Sequence, residues 1–132
     1  VGVARINLNT DGTEYANGLI LLPDTWTCPT GVTFKSGFAS ECSVQAYADY
    51  QTFTLTDWQK LEGAGAIFLP ASGNRTGSRV WHVQKQGTYW SSTPDYGHYN
   101  IQSYMQYFAS YDACLYFIHR SDVIAIRLVQ DL

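Results

Sequence analysis

At 132 residues the chain has the length of one domain, and its net charge of −3 with a pI near 5.4 gives no basic stripe, which argues against nucleic acid or an anionic membrane as partner. Hydrophobic residues make up 45% and charged residues only 14%, so a core can form and disorder is excluded as the main state. The longest early apolar run, from Gly18 to Leu22, is closed by Pro23 and falls far short of a spanning helix, so membrane insertion by this domain is not expected. The chain starts at Val1 without an initiator Met or a secretory pattern and reads as a piece of something longer. Cys28, Cys42 and Cys114 are odd in number and lack CxxC spacing, which gives a structural zinc site little support. Two arrangements stay open for them: a Cys28–Cys42 bridge with Cys114 alone, or three small buried hydrophobes.

In chain order, the first element with a clear local signature is a short helix over residues 54–63. Thr54 with Asp57 three residues on forms a capping-box pattern, Trp58 and Leu61 share a face, and Gly63 or Gly65 offers the stop. Residues 66–69 (AIFL) read as a short buried strand ended by Pro70, and residues 72–77 (SGNRTG) as turn throughout. Residues 88–92 read as a strand followed by a loop at 93–97. Residues 104–109 and 113–118 read as two strands joined by a tight turn at 110–112, and residues 123–129 as a last strand. An early helix, several short late strands and a long irregular region between them predict an α+β fold. Pairing of an N-terminal strand with residues 123–129 would bring the termini close together.

The charge pattern breaks at Tyr89. All three Lys (35, 60, 85) and all three Glu (14, 41, 62) precede Thr88, whereas residues 89–124 contain neither and hold seven of the ten Tyr. A half-buried sheet normally keeps Lys or Glu on its wet face. One explanation is an aromatic-rich core, because Tyr favours strands. The other is a recognition surface, because Tyr and Ser supply rigid amphipathic area and adaptable hydrogen bonds at low entropic cost. Alternation favours the surface: Ala113, Leu115 and Phe117 would face the core and Cys114, Tyr116 and Ile118 the outside, with Phe108 in and Tyr107 out.

The segments LPDTW (22–26), GAIFLPASGNR (65–75), YWSST (89–93) and IRLV (126–129), in that order, resemble the C-terminal domains of surface proteins from gut Bacteroidales, relatives of the Fibrobacter major-paralogous domain. The resemblance covers most of the chain from about Leu19 onward. Val123 departs from it, since such domains often carry Gly before the last strand. The resemblance implies a C-type-lectin-like fold: a single domain over residues 1–132, with a short helix, small twisted antiparallel sheets and a long irregular loop region. It would form the C-terminal part of a longer surface protein, located at the cell surface or extracellular. It also implies a link to diversity-generating retroelements, which target some domains of this fold and randomise adenines in late codons. AAC codons then become Tyr, His, Asp, Ser, Ile, Phe, Ala or Cys, but never Lys, Glu, Gln, Met or Trp. Residues 95–124 lack Lys, Glu and Trp, so Gln102, Met105 and Gln106 would have to be fixed positions.

Catalytic and metal chemistry finds little support. Thr93-Pro94-Asp95 only partly echoes a calcium-binding lectin loop, and no acidic cluster offers six to eight oxygen ligands. His82, His98 and His119 lie far apart without carboxylates at ligand spacing. Ser91 and Ser92 lack a nucleophile elbow. The formylglycine-generating enzyme shares the broad fold, but needs a reactive cysteine pair where Cys114 stands alone. Asn74-Arg75-Thr76 matches a glycosylation sequon in a turn-rich stretch where chance matches are common. Arg75 and Arg127 read as structural donors that tie together loop carbonyls or Asp24 and Asp131, and Trp26, Trp58 and Trp90 as core.

The expectation is therefore a non-enzymatic adhesion or recognition module without cofactor or metal, binding a protein or glycan ligand on another cell or host surface. Its ligand-binding residues would be Tyr96, His98, Tyr99, Asn100, Tyr107, Tyr111, Asp112, Tyr116, His119 and Asp122. The alternative is a structural or subunit-packing domain of a surface fibre or pilus.

Overall fold

The computed structural model describes residues 1–35, 51–94, 102–109, 112–119 and 126; for residues 76, 92–94, 102–104, 112 and 115–119 it describes the backbone alone. The chain opens with two alternating strands, β1 (Gly2–Asn7) and β2 (Tyr15–Leu21), which pair antiparallel with Gly2 opposite Ile20 and Asn7 opposite Tyr15. Side chains close the turn between them. Asp11 Oδ1 accepts the Thr13 N–H at 3.0 Å and the Thr13 hydroxyl at 2.7 Å, while Asn9 Oδ1 accepts the Glu14 N–H at 3.1 Å. The backbone bond from Thr13, and then its hydroxyl, hold the Asp11 carboxyl below its ordinary pKa.

Strand β3 (Gln51–Phe53) adds parallel to the other side of β1, and helix α1 (Leu55–Gly63) follows at once. Its start is the expected capping box: Thr54 Oγ1 accepts the Asp57 N–H at 3.1 Å, and Asp57 Oδ2 accepts the Thr54 N–H at 3.3 Å. Gly65, just past the Ala64 C-cap, takes φ +90° and turns the chain into β4 (Ile67–Pro70), which pairs antiparallel with β2. The resulting sheet has the order β3-β1-β2-β4. The helix thus carries the chain from one edge of this sheet to the other.

Further on, β5 (Asn74–Thr76) and β6 (Arg79–Trp81) form a small hairpin. Strands β7 (Gln86–Pro94), β8 (Gln102–Ala109) and β9 (Asp112–His119) form a second, antiparallel sheet in the order β7-β8-β9. Alternation lets the first sheet bury both faces. On one face, Ala4, Ile20 and Phe53 pack with Leu61 and Ala66 of the helical side. Half-buried aromatics rim this core, with Trp26 edge-on to Phe34 at 5.6 Å, Phe34 stacked on Phe53 at 5.8 Å and Trp58 against Phe68 at 5.6 Å. On the other face, Val3, Leu19, Leu69 and Ala71 pack against Tyr89, Phe108 and Ala113 of the second sheet. The order of layers is helix, four-stranded sheet, three-stranded sheet: one short helix with several small, mainly antiparallel sheets, a mixed α+β class. Among the described residues no helix is long and apolar enough to cross a membrane.

Three expectations need correction. Residues 72–77 are not turn throughout, because Asn74 to Thr76 form β5 once Val80 and Trp81 supply a partner strand. Thr93 and Pro94 belong to β7 rather than to a loop; the register shifts between Trp90 and Pro94, and an outer strand tolerates the missing donor. Pairing of an N-terminal strand with residues 123–129 is a separate matter: β1 pairs with β2 along its length and with β3 at Ala4–Ile6. That last segment lies outside the described residues except Ile126, which is 69% exposed and not in a strand. Finally, Cys28 is not a buried hydrophobe and makes no bridge: its thiol is exposed and free, 3.2 Å from the Val32 carbonyl it donates to. Cys42 lies outside the described residues.

Candidate recognition surface

The three-stranded sheet carries the tyrosine-rich part of the chain. Its register sets two rows of side chains one residue apart across the strands. Gly87, Phe108 and Ala113 form the row facing the first sheet. Phe108 lies over Gly87, where even a single added methyl would overlap its ring. Tyr89 belongs to this core: it stacks on Phe108 at 6.3 Å, and its hydroxyl donates to the Pro70 carbonyl at 2.8 Å. For Tyr89 the aromatic-core explanation holds.

The neighbouring row is Thr88, Tyr107 and Cys114. Phe108 goes in, as expected, and Tyr107 is half-buried. Cys114, however, is buried instead of standing in solvent, and so are Thr88, Met105 and Ala109. Alternation assigns a side chain to a face; it says nothing about what covers that face. The Thr88 hydroxyl is buried with no hydrogen-bond partner. Gln106 ties the two later strands together, its Nε2 donating to the Tyr107 carbonyl at 3.2 Å and to the Cys114 carbonyl at 3.0 Å.

Of the expected binding residues, Tyr107 is thus placed at the centre of the sheet. On β9, Asp112 sits opposite Ala109, Tyr116 opposite Met105 and His119 opposite Gln102. Tyr96, His98, Tyr99, Asn100, Tyr111 and Asp122 lie outside the described residues. Among the described residues no three His, Cys, Asp or Glu side chains gather where they could hold a metal.

A second exposed region escaped the sequence reading. Val80, Trp81 and Val83 are 59%, 46% and 54% exposed, and the Arg79 guanidinium lies 5.9 Å from the Trp81 ring centre. A polar clasp centred on buried Asn17 holds the following loop to the first sheet. The Asn17 side chain accepts from Arg5 Nε at 3.0 Å and donates to the Gln84 carbonyl at 2.8 Å, and Gln84 Oε1 accepts the Asn17 N–H at 2.8 Å. Arg5 also stacks over the Tyr15 ring at 4.1 Å. The loop pays for this fit with two non-glycine residues in the left-handed region, His82 at φ 59° and Gln84 at φ 62°. Arg75 has the structural role expected of it, donating from Nε to the Gly77 carbonyl at 2.8 Å. One sequence signal marked the region: no acidic residue occurs anywhere in residues 63–94.

Comparison of the chain with protein-family models, with curated proteins and with solved structures gave no match.

Proposed function

We propose that this chain is a non-enzymatic recognition module of C-type-lectin-like fold, displayed at a cell surface, whose tyrosine-rich segment 95–124 contacts a protein or glycan on another cell. In this reading the segment is a variable surface of the kind that diversity-generating retroelements rewrite. One observation carries it. The positions that such rewriting could not produce, and which must therefore be fixed, include Met105 and Gln106. Met105 is buried, and Gln106 bonds the backbones of β8 and β9, so both have structural work. Between them and Phe108 sits half-buried Tyr107, whose phenol does not belong to the core between the sheets. A sheet that commits one row to its core and sets a Tyr in the next is a rigid base for the loops around it.

The test is an array of host and bacterial glycans beside a pull-down of surface proteins, each run with the native chain and with Tyr99→Ala, Tyr107→Ala and Tyr116→Ala. Binding lost in variants that still melt normally supports the reading. Melting points that collapse in all three would make these tyrosines core and end it. Tyrosines that are labelled in the isolated chain but protected only in an assembled fibre would replace it with a subunit-packing role.

A further inference from the structure

We infer that the β5–β6 hairpin is a second binding surface, independent of the tyrosine segment, which takes an acidic peptide in extended conformation along the open edge of β6. Three observations converge there. The hairpin is closed by two residues, Gly77 and Ser78, with Thr76 opposite Arg79, and Gly77 takes φ +59° at the first turn position, where a tight hairpin calls for Gly. In such a hairpin the closing pair exchanges both backbone bonds and the next pair does not, so the N–H and C=O of Val80 point away from β5. Among the described residues no strand pairs with that side of β6.

The side chains beside this free edge are apolar and cationic. Val80, Trp81 and Val83 stay about half exposed, which in an isolated strand invites pairing. Residues 63–94 contain three cations, Arg75, Arg79 and Lys85, and no acid, which leaves −6 for the rest of the chain, and Arg75 and Arg79 lie on the two strands of the hairpin itself. An acidic strand would therefore be drawn to this hairpin, and a second copy approaching edge to edge would be repelled. Exposed aliphatic side chains on both sides of Trp81, together with an unpaired backbone donor and acceptor, suit a peptide better than a sugar ring. The binding mode is strand addition: main-chain bonds to Val80, apolar contact with Val80 and Trp81, and glutamates facing Arg79.

The experiment uses a capped nine-residue peptide of alternating Glu and Val, its counterpart with Lys for Glu, and an oligogalacturonate as an acidic sugar. Binding is followed by the Val80 amide and Trp81 indole NMR signals of the whole chain. The Glu peptide is expected to shift both, and Val80→Pro and Arg79→Glu should each weaken it at least tenfold. Val80→Pro removes only an outward donor, and Tyr107→Ala should leave the affinity unchanged, which separates this surface from the tyrosine one. The inference is overturned if the Glu peptide causes no shift at millimolar concentration, or if the Lys peptide binds as well. It is equally overturned if Val80→Pro binds normally, or if the oligogalacturonate shifts Trp81 and the peptide does not. Melts of both variants and a Trp81→Phe variant, expected to keep binding, verify that any loss is local.

Discussion

The two rows of the three-stranded sheet differ by one residue along each strand, yet they obey different rules. Gly87, Phe108 and Ala113 form a dry interface whose members are small where Phe108 is large, and they face Val3 and Leu19 of the first sheet. Thr88, Tyr107 and Cys114 carry a hydroxyl, a phenol and a thiol, and still the outer two are buried. The first row shows jigsaw packing, where volume decides. The second holds polar groups inside but outside that cluster, and what matters for each is whether it finds a hydrogen bond. Substitutions should separate the two.

The largest effect belongs to the first row. Phe108→Ala leaves a cavity between the sheets and should cost about 3–5 kcal/mol, read as a shift in the denaturant midpoint. Gly87→Ala comes next: its methyl meets the Phe108 ring, and displacing that ring should cost about 1–3 kcal/mol. The two sites are in contact, so Gly87→Ala should cost less in a Phe108→Leu background. Additive costs would mean that the ring does not rest on Gly87.

Much of the first row was legible in the sequence, and the second was not. Phe108 and Ala113 follow from period-two alternation about a tight turn, and α1 follows from Thr54 and Asp57, because both signals are local. The hairpin at Asn74–Trp81 was hidden for the opposite reason. Its first strand is written in turn-forming residues, and only pairing with Arg79–Trp81 makes it extended. Pairing of β1 with β3 depends on contacts across the chain, which no local pattern encodes, whereas the β1–β2 hairpin is written locally, in Asp11-Gly12 between two alternating strands. Burial of Cys114 was likewise out of reach, since alternation gives sides and not coverings. The lack of acids across residues 63–94 was visible throughout, but it acquires meaning only once Trp81 is seen exposed.

Within the second row, Tyr107→Ala should cost about 1 kcal/mol of stability, roughly half of what a fully buried large side chain contributes. If Tyr107 is a hot spot of the recognition surface, the same change should weaken binding by about 2 kcal/mol. Melts beside ligand titrations distinguish these outcomes. A stability loss as large as that of Phe108→Ala would erase the difference between the rows.

The smallest effect has the opposite sign and tests the second row most directly. The Thr88 hydroxyl is enclosed between strands with no protein partner, although a buried hydroxyl ordinarily finds one. An unmade bond is costly because the group gives up water on folding and regains nothing. Thr88→Val keeps the branched shape, and thus the strand preference, while replacing the hydroxyl with a methyl. It should therefore stabilise the fold by about 0.5–1 kcal/mol, with no change in the slope of the denaturation curve. The comparison that decides is Thr88→Ser, which keeps the hydroxyl and loses the methyl; it should be less stable than either the native chain or the Val variant. If Thr88→Val instead destabilises, the hydroxyl is bonded in solution, most simply to an enclosed water, and the second row is a satisfied polar layer.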